Sequence, residues 1–195
     1  LHSHAPSFKF HIPEYGITAV ELKPQDLLVV LERAVHPARS WTYATLGDAL
    51  QMSASQVHRS VQRSLAAGLA TSKSRGEWQA VRSALVEFAV HGVRYAFPAT
   101  LGASRRGVPT SFGTPPLSEH ISSAPDEAPV WAHPEGSSKG PSLSPLCRNA
   151  PAAALADPSL HAVLALVDAL RVGRARERAL AAKLLDERLK NADAS

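Results

Sequence analysis

Six side chains between positions 55 and 63 have the types and the spacing to grip a polyanion. At about 100° per residue, Ser55, Gln56, Arg59, Gln62 and Arg63 collect on one side of a helix, with His58 on the flank. Ala54, Val57, Val61 and Leu65 fall on the other side. Arg and Gln are the types that pair bidentately with the edges of guanine and adenine, and the remaining polar groups donate to phosphate. No Asp or Glu occurs between Asp48 and Glu77, an interval that holds Arg59, Arg63, Lys73 and Arg75. A surface without carboxylates suits phosphate, which each carboxylate would repel. The expectation is duplex-DNA contact through Ser55, Gln56, His58, Arg59, Gln62 and Arg63, with Lys73 and Arg75 on backbone phosphates.

Other chemistries find less footing. Among the nine histidines none stands at a zinc-ligand spacing, so no metal is expected. Cys147, the only cysteine, lies in a Pro/Ser-rich stretch without a helix N-terminus to activate it, and it excludes an intrachain disulfide. Gly102 and Gly107 are not followed by the Gly-Lys-Ser/Thr of a phosphate loop. Glu14, Glu21, Asp26 and the pair Asp126-Glu127 read as solvated surface charges. The reading is therefore a protein with no catalytic residues and no cofactor, not an enzyme.

Four helices are expected to position the polar face. Pro24 suits a first helical turn, and Leu27, Leu28, Leu31 and Val35 recur at helical spacing up to Pro37. Ser40 or Thr42 caps a second helix with Tyr43, Leu46, Ala49 and Leu50 on one face. Ser53 and Gln56 form a capping box for the third, which closes at Gly68. A fourth is expected over residues 77–95, with Trp78, Val81, Leu85, Phe88 and Tyr95 on its apolar face.

A short helix, a tight turn and a helix with a polar outer face are the parts of a helix-turn-helix. Residues 41–69 resemble the winged-helix regulators, the MarR-like bacterial transcriptional regulators being the nearest type. The resemblance rests on Tyr43, Leu46 and Leu50 in the supporting helix, Ser53 to Gln56 at the cap, Val57, Val61 and Leu65 beneath, and Ala67-Gly68-Leu69 at the close. It implies a second helix in the major groove and a β-hairpin wing on the adjacent backbone. Two departures stand out. Gln51 occupies the turn position where many such motifs carry glycine, at a cost of roughly 1 kcal/mol if left-handed. The wing is poor, with a tip in Lys73, Arg75 and Gly76 but helix expected from Glu77.

Nine prolines between positions 109 and 151 argue against a long helix or a central strand there. That zone, with Trp131 and Leu143, reads either as an extended wrap on the core or as a docking strip. Beyond Pro158, Leu160, Val163, Leu164, Val167 and Leu170 form one apolar stripe, and Leu180, Leu184 and Leu185 a second. Arg171, Arg174, Arg176 and Arg178 lie between, as a solvated face or as a contact for a dimer, a partner or DNA.

The expected fold is mostly α: an N-terminal tail (1–21), a winged helix-turn-helix domain (22–97), a Pro-rich extended segment (98–157) and a C-terminal helix or helix pair (158–192). The function so implied is sequence-specific binding of double-stranded DNA as a bacterial transcriptional regulator, possible as a homodimer. The alternative is a protein-interaction module, such as the antitoxin half of a two-protein system, using the Pro-rich segment or the C-terminal helix. A balance of 21 basic to 17 acidic residues and a pI near 9.5 suit either. No apolar run approaches the roughly 20 residues of a membrane span, and His2, His4, Lys9 and His11 interrupt any secretory signal, so a cytoplasmic location is expected.

Overall fold

The structure, a computed structural model, describes residues 21–73, 77–122, 124 and 126–192. Among these the chain is mixed α/β, with eight α-helices and two small sheets. The first helix, α1 (Pro24–Val35), begins on proline and buries Leu27, Leu28, Val29, Val30 and Leu31 completely. Five successive buried residues leave no side of this stretch to solvent, so it lies inside the core. Helix α3 (Ala54–Ala66) packs against it, and α2 (Tyr43–Leu50) packs in turn on α3.

The α2–α3 junction follows the sequence reading closely. Thr42 caps α2, its Oγ1 accepting from the Thr45 amide at 3.1 Å. Ser53 and Gln56 form the expected reciprocal box, at 2.8 and 3.2 Å. Gln51 is left-handed, with φ 53° and ψ 44°. Its strain is braced from 98 residues away, because Asn149 Nδ2 donates to the Gln51 carbonyl at 2.6 Å and to that of Leu50 at 3.1 Å. The glycine this junction requires is Gly47, where a Cβ would stand 2.4 Å from the Met52 carbonyl oxygen.

After α3 comes a hairpin rather than the long fourth helix. Strand β1 (Ala70–Ser72) pairs antiparallel with β2 (Trp78–Ala80), so residues 78–80 depart from the helix expected over 77–95. Cross-strand pairing and burial of Trp78 outweigh the local helical periodicity. Helix α4 (Arg82–His91) follows, and a break at Gly92 leads to α5 (Val93–Ala96). Tyr95, expected on the apolar face, is 76% exposed.

The middle zone does contain a central strand. β3 (Leu101–Pro109) pairs antiparallel with both β4 (Val130–Ala132) and β5 (Ser138–Leu143). A parallel bridge from Val130 to Ser142 closes the three strands on themselves. Proline does not prevent this because β3 holds only Pro109, its last residue, and on β5 only Pro141, opposite Ser104, withholds an N–H from the ring. At Gly107 a Cβ would lie 2.0 Å from the Trp131 carbonyl oxygen, so the close crossing requires glycine.

The C-terminal part is a helix pair, α7 (Pro158–Val172) and α8 (Ala175–Asn191), preceded by α6 (Ala150–Ala156). The stripe from Leu160 to Leu170 is wholly buried against the rest of the chain, which leaves it no apolar face for a dimer. Arg171, grouped by sequence with solvated or partner-facing arginines, is buried too. It donates to Asp168 at 2.7 Å and to the Phe97 carbonyl at 2.8 Å. Asp168 also accepts from Thr110 at 2.9 Å and from the Trp131 indole at 2.7 Å. One buried node thus ties α7 to both sides of the strand ring. Among the described residues no helix is long and apolar enough to cross a membrane.

Candidate nucleic-acid interface

Helix α3 owes its position to the small and apolar residues on its inner side. Val57, Ser60, Val61 and Ser64 are buried, and the Ser64 hydroxyl donates back to the Ser60 carbonyl at 2.8 Å. Ala54, expected on that side, is exposed at the first position of the helix. What remains outward is a row of five expected residues: Ser55, Gln56, His58, Arg59 and Gln62 are all exposed. Arg59 makes no ion pair or side-chain hydrogen bond among the described residues, so its guanidinium is available. His58 stands edge-on to Tyr43 with ring centroids 5.1 Å apart, which fixes the imidazole against α2. Gln56 spends its Oε1 on the capping box and keeps its amide donors.

Arg63 does not belong to this row. Its Nε and Nη2 grip the Asp26 carboxylate at 2.7 and 2.5 Å, and Asp26 has no exposed surface. This corrects two expectations together: Asp26 is a buried anchor rather than a solvated charge, and Arg63 is its partner rather than a groove-facing donor. Helical angle alone places Arg63 near Arg59, but α1 lies close enough on that flank to capture it. The pair fastens α3 to the first turn of α1.

Lys73 is exposed at the end of β1, and Arg75 lies outside the described residues. At the base of the hairpin, a cleft of about 490 Å³ is lined by Arg33, Lys73, Gln79 and Arg82. A second, of about 500 Å³, lies between Arg39, Thr42, Tyr43, Lys73 and Glu77. Arg39 and Arg82 therefore join Lys73 around the hairpin, a grouping hidden in the sequence because the three positions come from different elements. Arg33 is committed locally, closing the end of α1 through the carbonyls of His36 and Pro37 at 3.2 and 2.8 Å.

A second constellation went unread in the sequence. Glu32 and His36, one turn apart at the end of α1, meet Asp157 at the start of α7, with one ligand-type atom from each lying within 4.8 Å of the others. His36 Nε2 pairs with Asp157 Oδ2. The other oxygen of Asp157 caps α7, accepting from the Ser159 and Leu160 amides at 2.7 and 3.1 Å. Glu32 is 1% exposed, and its Oε2 has no hydrogen-bond partner. Burial first, and then the negative charge of Asp157, push its carboxyl up to about 7. Against the upward push of its partial burial, the hydrogen bond from His36 and then the α7 amides hold the Asp157 carboxyl below its ordinary value. Glu32 and His36 stand at helical i,i+4 spacing, the available signal; Asp157 could not be joined to them without the fold.

Searches for similarity against protein-family models, curated proteins and solved structures give no match for this chain.

Proposed function

We propose that the chain binds duplex DNA and regulates transcription, with α3 entering the major groove and the β1–β2 hairpin serving as a wing. The observation that carries this reading is the exposed row Ser55, Gln56, His58, Arg59 and Gln62, which holds no carboxylate. The order α1-α2-α3-β1-β2 supports it, since a supporting helix, a left-handed turn, a polar helix and a hairpin are the parts such a reader uses. A two-fold dimer would read half-sites about 34 Å apart, one turn of DNA.

The test is selection from a random duplex pool across a salt series. Arg59→Ala should cost ~1–3 kcal/mol and relax preference at one base position, whereas Lys73→Ala should weaken all sequences alike and lower the salt slope by about one. Arg63→Ala should act through stability, not through sequence preference. Absence of binding at low salt would refute the reading. The protein-interaction alternative draws on one observation, the exposure of Tyr95 and Leu101 at 76% and 54%. A stoichiometric partner retained without DNA affinity, and lost on Tyr95→Ala/Leu101→Ser, would favour it.

A further inference from the structure

We propose that Glu32, His36 and Asp157 form a binding site for a divalent transition-metal ion of the zinc class, joining the end of α1 to the start of α7.

Three independent features converge on this site. The first is the donor set. One imidazole and two carboxylates give a borderline nitrogen with hard oxygens, a combination suited to zinc and its first-row neighbours. With Glu32 deprotonated on binding, the two carboxylates carry the charge that a divalent ion cancels. The second feature is Glu32. It is 99% buried by surface, its Oε2 has no partner, and one oxygen of the same carboxyl lies within the cluster. A buried polar oxygen without a donor calls for an explanation such as an ion. Arg39, whose charge acts on Glu32, donates no hydrogen bond to it and lies over the Trp41 indole, 4.1 Å from the ring centroid.

The third feature is access and geometry. His36 lines a cleft of about 690 Å³ bounded by residues 35–39, Ser159 and the end of α8 at Glu187 and Arg188. Of the three donors only His36 lines it, so an ion and its waters would reach the site past the imidazole. Metal–ligand bonds of about 2.0–2.2 Å set donors roughly 3.4 Å apart in a tetrahedron, which is within the 4.8 Å span of these atoms. The His36–Asp157 hydrogen bond then opens to admit the ion, while Asp157 keeps its other oxygen on the α7 amides. The site is independent of the DNA-binding reading and stands or falls separately.

The experiment uses the full chain, freed of metal with a chelator and titrated with Co²⁺ alone and then Zn²⁺ alone. The expected result is one Co²⁺ per chain, visible d–d absorption of a four- or five-coordinate ion, displacement by Zn²⁺, and a rise in Tm on binding. Glu32→Gln and His36→Gln should each weaken affinity at least tenfold and abolish the rise in Tm. His36 is partly exposed, so its variant keeps the test valid if Glu32→Gln fails to fold. The variant His2→Gln/His4→Gln/His11→Gln should bind as the parent does. Failure to bind Co²⁺, or binding that survives both Glu32→Gln and His36→Gln, would overturn the proposal.

Discussion

The two central helices each bury a carboxylate, and they treat it in opposite ways. On α7, Asp168 receives donors from Thr110, Trp131 and Arg171, and Arg171 goes on to the carbonyls of Phe97 and Ser144. On α1, Glu32 is as deeply buried yet leaves an oxygen unpaired beside His36 and Asp157. A buried polar group with all its partners holds a fold together, whereas one without them carries a desolvation cost that a bound ligand would relieve. The difference separates a structural node from a candidate site.

The contrast predicts a large loss on one side. Asp168→Ala leaves Arg171 buried and uncompensated, and should lower unfolding free energy by about 3–5 kcal/mol in urea titration. A loss below about 1 kcal/mol would mean that the node is not structural. Asp26, on the same helix as Glu32, is the intermediate case: buried, but paired with an arginine that keeps 21% of its side chain exposed. Asp26→Asn should cost about 2 kcal/mol, and Arg63→Ala should cost less in combination with it than alone, as a double-mutant cycle would read. Additive losses would dissolve the pair.

Smaller effects test the long-range brace on the α2–α3 turn. Asn149→Ala should destabilise by about 1 kcal/mol through its two lost donors, while Gln51→Gly should offset part of that by relieving the left-handed strain. Last comes Glu32 itself, with a change of sign. Its carboxyl titrates near 7 when folded, above its ordinary value of 4.5. The folded state therefore holds the proton more tightly, and the contribution is complete below about pH 4.5 and lost as pH rises through 7. In chelator, Glu32→Gln should match the parent at pH 4.5 and be the more stable at pH 8. Equal stability at both would place Glu32 in an ordinary surface setting.

Local signals were legible wherever neighbours in sequence complete the interaction. Pro24 starts α1, Thr42 caps α2, the Ser53–Gln56 box opens α3, and Gln51 takes the left-handed turn. The exposed row of α3 was legible too, because one helix supplies all of it. Residues 78–80 were misread because Trp78 is placed by a strand partner, and the middle zone because its prolines fall largely outside β3. Asp26, Arg63 and Arg171 were read as surface charges because the partners that bury them lie 37, 37 and up to 74 residues away.

By itself, the sequence determined the helical punctuation of the first half, the carboxylate-free interval from Asp48 to Glu77 and the polar face of α3. These depend on spacing along one element. Only the tertiary structure decided which charges are buried and which are free: that Arg63 turns inward to Asp26 while Arg59 stays out, that Asp168 finds three donors, and that Glu32 and His36 meet Asp157. A charge's fate depends on what packs against it, and helical angle says which way a side chain leaves its own axis but not which element waits there.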